Sequence, residues 1–306
     1  MSMRRASLRL GWCALPALSA LTWLPPSAQA QPLPADALER RCWLSTTAER
    51  STPDLREPTS VRFVNLRNGY RLRSPFWVEF GIRGMGVIPA GNRSDAAGHH
   101  HILVDTPLPK HHQAAIPFSD KHKHFGKGQT GTLLDLPPGK HTLRLLFADH
   151  EHKPYFVFSP EISIEVTGPR TATSLPIDKT QFEASCAAWY QDQQGAPRGT
   201  PGSREVYVKN LREGETVSSP FVLSLGALGF GVAPAGTQIA ETGHFALQIS
   251  QGGQRLRQQV LADGRTELVL DLPRGDYELG LSLLDGQGQT LIKGAPLRFS
   301  VSRQER

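Results

Sequence analysis

Histidine is the residue type whose number and spacing in this chain point most directly to chemistry. Ten of the eleven histidines lie between His99 and His152. Six of them form three pairs with one residue between the partners: His99/His101, His122/His124 and His150/His152. Side chains two residues apart on a β-strand share a face, so each pair presents two imidazoles side by side. Two such pairs on neighbouring strands can bind a divalent transition metal in a four-coordinate site.

An internal repeat separates the residues expected to serve the fold from those that are candidates for function. Shifting the chain by 145 positions aligns residues 61–69 with 206–214, and residues 81–91 with 226–236. The second copy keeps this scaffold but only one histidine, His244, which aligns with His99. Residues shared by both copies are therefore expected to be structural, and residues found only in the first are functional candidates.

The comparison of the copies assigns some histidines to packing. His100 aligns with Phe245, which alternates with other apolar residues, so we expect its side chain to face the core. His141 aligns with Tyr277 and is expected at the edge of the core. The survival of His244 indicates a partly structural role for His99. The remaining candidates are the metal ligands His99, His101, His122, His124 and His152, with Asp105, Asp120, Asp149 and His150 in support.

An insertion and a group of lysines accompany the histidines. Between the first histidine pair and the turn at residues 136–139 the offset between copies falls from 145 to 136, so the first copy carries nine extra residues in this stretch, the insertion segment. Added polar length on a rigid scaffold is typical of binding loops. Ammonium groups disfavour a bare cation nearby and favour an anion, which makes Lys121, Lys123 and Lys127 an alternative anion site. Side chains alternate between the two faces of an extended segment, which would instead place Lys121 and Lys123 on the face opposite His122 and His124.

The first thirty residues have the pattern of a secretory signal peptide. Arg4, Arg5 and Arg9 precede an apolar stretch, and residues 28–30 match the small-x-small cleavage pattern. Cleavage near Ala30 predicts a periplasmic protein. No later segment has enough apolar length to cross a bilayer, so no membrane anchor is expected after cleavage.

Cleavage of that segment would remove Cys13 and leave two cysteines. Cys42 and Cys186 lie just upstream of the two copies. An even number in an exported protein favours a disulfide, here between the N-terminal extension and the linker that joins the copies. Two buried free thiols are the alternative.

Short runs of alternating apolar and polar residues, separated by Gly, Pro, Asn and Asp, predict strands throughout both copies. The expected fold is all-β, with two tandem immunoglobulin-like antiparallel β-sandwich domains. A short helix is expected around residues 35–43. The predicted organisation is a signal peptide (1–30), an N-terminal extension (31–58), a histidine-rich first repeat (59–168), a linker (169–204) and a degenerate second repeat (205–303).

The charge of the chain argues against nucleic acid as a partner. The formal net charge is +6, but three of the arginines belong to the signal peptide. The remaining Lys and Arg only slightly exceed the 28 Asp and Glu, and no basic block with interleaved aromatic residues is present.

The first repeat resembles a bacterial family of small exported β domains, the domain-of-unknown-function family numbered four-three-nine-nine. The resemblance rests on residues 65–69, 84–91, 98–109, 120–130 and 136–143, and it covers the first repeat end to end. The second repeat looks like a copy of the same domain without the histidine motifs. His152 matches the first histidine of the family's His-x-Pro-His element, and Tyr155 stands where the second would be. The resemblance implies export, this fold and a histidine site, but no reaction.

Three functions are consistent with these features. The favoured one is an exported binding protein with a histidine-built site for copper(II), zinc or nickel, because no cysteine lies nearby and Met85 aligns with Phe230 as a packing residue. A metal-dependent hydrolytic enzyme is an alternative, with Asp120, Asp149 or Glu151 as base, although no catalytic triad or nucleophile elbow is present. The third is a metal-free module that binds a small anion or a cell-envelope partner through the His/Lys face.

Overall fold

The structure is a computed structural model and describes residues 30–48, 59–199 and 202–303. The predicted signal peptide, apart from Ala30, lies outside these residues. Among the helices of the described ranges, none has the length and apolar character that a membrane span requires.

Within the described residues each repeat consists of short strands. The first repeat contains β1 (Ser60–Phe63), β2 (Tyr70–Ser74), β3 (Phe76–Arg83), β4 (Gly86–Val87), β5 (Ala97–Val104), β6 (His122–Phe125), β7 (Gly131–Leu134), β8 (Gly139–Ala148), β9 (Pro154–Phe158) and β10 (Ile162–Pro169). The second contains β11 (Glu205–Val208), β12 (Glu215–Ser219), β13 (Phe221–Leu228), β14 (Gly231–Val232), β15 (Thr242–Gln251), β16 (Gln254–Val260), β17 (Glu267–Leu270), β18 (Gly275–Leu284), β19 (Thr290–Lys293) and β20 (Leu297–Arg303).

Each repeat is a two-layer sandwich. The small layers are the three-stranded sheets β1-β3-β7 and β11-β13-β17. The large layers join into one long sheet in the order β12-β20-β18-β15-β14-β4-β5-β8-β10-β2, with β16, β19, β6 and β9 paired at its sides. The all-β, immunoglobulin-like prediction is therefore confirmed. Parallel pairing of β2 with β10, and of β12 with β20, is a departure from the purely antiparallel expectation.

Alternation of side chains creates one core in each sandwich. In the first repeat the inward-facing residues of the two layers, among them Phe76, Phe80, Ile102 and Leu145, are fully buried and form one cluster. The second repeat has an equivalent cluster, which includes Phe245. Burial of these apolar side chains drives the folding of each sandwich. The opposite face of the large sheet points away from this core and is therefore available for other roles.

The two repeats meet through matching parts of their structure. Val87 of β4 pairs with Val232 of β14, and these two valines occupy equivalent positions in the repeats. Thr130 Oγ1 donates to Ala227 O at 3.0 Å, and Thr266 Oγ1 donates to Ile82 O at 3.2 Å. Thr266 is the counterpart of Thr130 and Ala227 that of Ile82. The contacts are thus reciprocal, as in a two-fold symmetric dimer.

Two helices pack together beside the sandwiches. These are α1 (Ala37–Ala48) and α2 (Phe182–Gln194). The predicted disulfide between Cys42 and Cys186 is confirmed and joins the helices with a Cα–Cα distance of 5.5 Å. Helix α1 extends beyond the predicted residues 35–43, and α2 was not predicted. Only a few side chains of each helix are buried, and Trp43 and Trp189 are two of these. Neither helix sequence therefore shows the apolar stripe by which a helix is identified.

Candidate metal centre

The register of three strands brings the histidines together on the outer face of the large sheet. Strand β5 carries His99 and His101, and its eight residues are all buried. Strand β6 pairs antiparallel with β5 so that His124 lies directly opposite His101. On the other side of β5, His99 pairs with Ala148 at the end of β8. His152 lies in the turn that follows β8, which brings a fourth imidazole to the same place.

The Nε2 atoms of the four histidines converge in two close pairs. The distance between Nε2 of His99 and Nε2 of His101 is 3.1 Å. The distance between Nε2 of His124 and Nε2 of His152 is also 3.1 Å. Ligating nitrogens of His99, His101 and His124 all lie within 4.8 Å of one another. The strands therefore gather three imidazoles closely, and His152 joins them through His124.

The four rings also contact one another. The separations of ring centroids are 4.9 Å for His99–His101, 4.8 Å for His99–His124, 5.0 Å for His99–His152, 5.0 Å for His101–His124, 6.0 Å for His101–His152 and 4.7 Å for His124–His152. Burial of apolar surface does not explain why four histidine rings pack together, because each ring has a polar nitrogen that needs a partner. We call these four residues the histidine cluster.

Burial makes the inner two imidazoles neutral. His99 and His101 are 1% and 0% exposed. Desolvation lowers the pKa of His99 to about 3 and that of His101 to about 2, with a further contribution from the neighbouring histidines. Burial and the proximity of His152 also lower the pKa of His124. A neutral imidazole has a lone pair available for a metal, so the cluster is in the protonation state that ligation requires.

The backbone of His152 is strained. Its φ angle is 65°, in the left-handed region that residues other than glycine seldom adopt. The equivalent residue of the second repeat is Gly288, with a φ angle of 82°. The turn itself is shared, because Asp149 and Asp285 each accept two backbone N–H groups through Oδ1. The first repeat thus keeps a histidine at a turn position that favours glycine.

The second repeat shows what the same scaffold looks like without the cluster. Ala246 pairs with Val260 in β15 and β16, as His101 pairs with His124 in the first repeat. Only His244, the counterpart of His99, is retained, and it is 3% exposed. The counterparts of the other three ligand candidates are thus an alanine, a valine and a glycine. The fold does not require the cluster.

Other residues proposed from the sequence lie outside the cluster. His122 Nδ1 is 2.9 Å from Ser119 Oγ, and the ring contacts of the cluster do not include it. Asp105 accepts from His141 Nδ1 at 2.8 Å and from the backbone N–H of Thr142 at 2.7 Å, at the far end of β5. Asp149 is the carboxylate that acts on the cluster electrostatically, because it opposes the lowering of the His99 pKa.

The remaining predicted residues are on the surface. Asp120 is exposed and accepts from Lys123 Nζ at 3.3 Å. His150 is half-buried in the turn before His152. Lys121 and Lys127 are exposed, and the backbone N–H of Lys127 donates to Gln129 Oε1 at 2.7 Å. The ring contacts of the cluster do not include His150, and these hydrogen bonds of Asp120 and Lys127 do not reach any of the four imidazoles.

The two histidines assigned to packing behave as expected. His100 faces the core, with ring centroids 4.8 Å from Phe80 and 4.9 Å from Phe147. His141 Nε2 lies 2.9 Å from Pro137 O, and the Tyr277 hydroxyl donates to Pro273 O at 2.8 Å in the second repeat. His141 and Tyr277 therefore make equivalent contacts to equivalent turns.

Sequence reasoning missed two residues beside the cluster. Phe118 lies in the segment that contains the insertion, and its ring centroid is 4.9 Å from His124 and 5.0 Å from His152. Gly126 is so close to His124 that a Cβ atom at this position would overlap Cε1 and lie 2.6 Å from Nε2. Two signals could have identified them: Phe118 lies in the segment that contains the insertion, and Gly126 follows His124 by two residues.

Comparison with solved structures gives matches of low similarity. CopC from Methylosinus trichosporium OB3b is 19% identical, with 34% of this chain and 98% of that chain covered and a TM-score of 0.23. The fibronectin(III)-like modules of Clostridium thermocellum CbhA are 7% identical, with 80% and 97% covered and a TM-score of 0.21. The two fibronectin type-III domains of chicken tenascin are 10% identical, with 79% and 97% covered and a TM-score of 0.18.

Comparison with protein families gives a clear result. No curated protein matches the chain. The family model described as "Domain of unknown function (DUF4399)" matches residues 78–167 and 223–299, which together make up more than half of the chain. One match lies in each repeat, and the first spans all four residues of the histidine cluster. The chain therefore belongs to the DUF4399 family, with two copies of the family's domain in tandem.

Proposed function

We propose that the first repeat binds one divalent transition-metal ion, copper(II), zinc or nickel, through the histidine cluster. The ligands are His99, His101, His124 and His152. The observation that carries this proposal is that the Nε2 atoms form two pairs, each with a separation of 3.1 Å, and that ligand nitrogens of His99, His101 and His124 lie within 4.8 Å of one another. Imidazole nitrogens are the preferred ligands of these metals.

The spacing of the nitrogens fits a four-coordinate ion. A metal–nitrogen bond of about 2.0–2.1 Å places the nitrogens of a tetrahedral site about 3.3 Å apart. The two close Nε2 pairs are each separated by 3.1 Å, close to this edge length. Each pair can thus form one edge of a tetrahedron, and small ring movements complete it.

The strained turn at His152 supports the same function. A residue with a side chain in the left-handed region persists only where the surrounding structure or function requires it. The second repeat has the same turn with Gly288 and no cluster. The side chain of His152 is therefore the feature that the first repeat retains against a backbone cost.

We also propose that the protein acts outside the cytoplasm, in the periplasm. The signal pattern of the first thirty residues supports export. A structural disulfide is typical of proteins in an oxidising compartment. An exported metal-binding domain of this kind would bind, store or deliver the ion, and a cell-envelope protein is the expected partner for delivery.

Metal analysis of the mature protein tests this proposal. The protein is prepared without a histidine tag, loaded with copper(II), zinc or nickel, dialysed, and analysed for bound metal. We expect one ion per chain in the wild type. The double variant His101→Ala/His124→Ala, which removes one inner and one outer imidazole, should retain none.

Two control variants keep this test specific. His244→Ala removes the buried counterpart of His99 from the second repeat, and His111→Ala/His112→Ala removes two exposed histidines of the insertion segment. Both should keep the full stoichiometry. A wild-type protein that retains none of the three metals, or a double variant that retains as much as the wild type, would show that the cluster is not the metal site.

A further inference from the structure

An exposed aromatic ring lies directly on the histidine cluster. Phe118 is 66% exposed, yet its ring makes edge-to-face contacts with His124 and His152, the two outer histidines. The inner histidines, His99 and His101, lie beneath them. The side of the cluster nearest solvent is therefore partly closed by a phenylalanine and not by a polar group.

The backbone on both sides of Phe118 is fixed to segments that carry histidines. On one side, Ile116 is 2% exposed and its backbone N–H donates to His152 O at 2.9 Å. On the other side, the backbone N–H of His122 donates to Ser119 O at 3.0 Å, and the Ser119 hydroxyl contacts His122 Nδ1. We call residues 116–119 the strap. These contacts hold the strap across the cluster and set the position of Phe118.

The strap belongs to the segment that distinguishes the two repeats. The second repeat has nine fewer residues between Gly243 and the turn before β18 than the first has between Gly98 and the turn before β8, and it has no histidine cluster. A phenylalanine with this much exposed apolar surface gains little from burial. Its position is better explained by what it covers, because the strap and the cluster occur together in one repeat and are both missing from the other.

From this geometry we infer that Phe118 controls access to the metal and makes the site closed. This inference rests on the proposed function and adds to it the route of exchange. The ion enters and leaves on the side of His124 and His152, and the strap must move before it can do so. With four imidazoles inside and an apolar ring outside, small exogenous ligands are kept from the ion.

A closed site has a consequence for the class of function. Catalytic metal sites keep one position open for water or substrate, whereas sites that hold an ion for structure, storage or transfer fill all positions with protein ligands. The Phe118 ring stands where an incoming ligand would approach. The geometry therefore favours holding and transfer of the ion over activation of water.

Metal release from the Phe118→Ala variant tests this inference. The zinc-loaded wild type and variant are mixed with excess of the chromophoric chelator 4-(2-pyridylazo)resorcinol, and the rate of release is followed by absorbance. Loss of two edge-to-face contacts should accelerate release about tenfold. The amount of zinc bound before mixing should stay at one ion per chain, because no ligand has changed. Phe118→Leu, which keeps an apolar cover, should release at an intermediate rate.

The matched control is Phe158→Ala. Phe158 is an exposed phenylalanine of β9 in the same repeat, 43% exposed, and its ring makes no contact with the four imidazoles among the described residues. Its release rate should equal that of the wild type. Azide added to the copper(II)-loaded proteins gives a second readout, with a charge-transfer band expected for Phe118→Ala and not for the wild type.

The outcomes separate this inference from the proposed function. If the wild type binds no metal, the proposed function fails and the role of Phe118 fails with it. If the wild type binds one ion but Phe118→Ala releases it at the wild-type rate, only the inference about Phe118 is wrong. An azide band of equal strength in the wild type would likewise show that the site is open.

Discussion

At the scale of single residues, the histidine cluster depends on two unusual backbone positions. His152 adopts a left-handed conformation, and Gly126 lies where a side chain would collide with His124. A left-handed conformation costs a residue with a side chain about 1–2 kcal/mol. The first position carries an imidazole at a turn that favours glycine, and the second leaves the space that the His124 ring occupies. A substitution at either position is therefore expected to alter the cluster.

Substitution of His152 should separate stability from metal affinity. We expect His152→Gly to raise the free energy of unfolding of the metal-free protein by up to about 1 kcal/mol, because glycine adopts the left-handed conformation without strain. His152→Ala keeps the strain and should give no such gain. Both variants should bind zinc more weakly than the wild type. Urea denaturation and zinc titration measure the two effects, and equal stability of the Gly and Ala variants would contradict this explanation.

Substitution of Gly126 should weaken metal binding without removal of a ligand. In Gly126→Ala the new methyl group overlaps the His124 ring, so the imidazole must rotate away from the other three. We expect the dissociation constant for zinc to rise at least about tenfold, the size of effect typical of residues that orient a metal ligand. Gly280→Ala is the control, because a Cβ at Gly280 meets nothing closer than 3.9 Å. An unchanged affinity in Gly126→Ala would mean that His124 is not needed.

The sequence named all four members of the histidine cluster together with His122, and it was insufficient to rank His122 against His152. Parity along a strand shows that His122 and His124 share a face, but not which of them lies opposite His101. In the structure that residue is His124, and His122 lies opposite Leu103. His122 therefore lies one step further along the pairing of β5 with β6, and its Nδ1 contacts Ser119 Oγ instead of the other imidazoles. The strand register that decides this arises from tertiary packing, which a single sequence does not show.

At the scale of elements, β5 combines a packing role with a functional one. His100 faces the core between two phenylalanines, while His99 and His101 face the cluster. The strand is buried along its whole length. Three consecutive imidazoles are thus held away from water, and protonation of any of them opposes folding.

The burial of β5 predicts that the metal-free protein is sensitive to acid. In the unfolded chain these histidines have a pKa near 6.5, whereas in the folded protein the pKa is about 3 for His99 and about 2 for His101. The unfolded state therefore binds more protons below pH 6.5, and the stability present above that pH is lost as the pH falls. His124, His152 and Asp149 face these groups. At pH 5 the loss is about 2 kcal/mol for each of the two residues.

Denaturation at pH 7.5 and pH 5 measures this dependence. The variant His101→Ala, which has the residue found at the equivalent position of β15, should lose less stability between the two values than the wild type. If the unfolding free energy of the wild type is the same at both, the two imidazoles are not held neutral by burial.

Some elements of the fold could be predicted from sequence patterns and others could not. The strands follow from alternation and from turns rich in Gly and Pro, and the disulfide follows from the even cysteine count. Helix α2 does not follow, because it is held by Cys186 and Trp189 against α1 and not by an apolar stripe of its own. The strap could be placed in an insertion, but its position over the cluster depends on hydrogen bonds between segments distant in sequence.

At the scale of the whole molecule, the two repeats form one assembly. The hydroxyls of the equivalent residues Thr130 and Thr266 each donate a hydrogen bond to the backbone of the opposite repeat. The large layers of both sandwiches form one sheet through β4 and β14. Charged residues add to this junction, because Arg62 of the first repeat pairs with Glu267 of the second, and the Tyr207 hydroxyl donates to Glu79. The second repeat thus supports the first structurally although it lacks the cluster.

The reciprocal threonines predict that damage to one repeat is felt in the other. Thr266→Val and Thr130→Val each leave a buried backbone N–H or C=O of the opposite repeat without its partner, which costs about 1–3 kcal/mol. We expect Thr266→Val to reduce hydrogen-exchange protection in β3 of the first repeat. Thr132→Val, at a position whose hydroxyl is exposed, should change stability by less than about 0.5 kcal/mol. Loss of protection confined to the second repeat would show that the repeats fold independently.

The pairing of β4 with β14 also determines how the protein behaves on dilution. Two separate copies of such a domain would dissociate once their concentration fell below the dissociation constant of the dimer. Here both halves belong to one polypeptide, so the effective concentration of each half for the other does not fall when the protein is diluted. The sandwich that carries the histidine cluster therefore always has its partner, in a fixed one-to-one ratio. Under that condition the second sandwich can support the first although it carries no histidine cluster of its own.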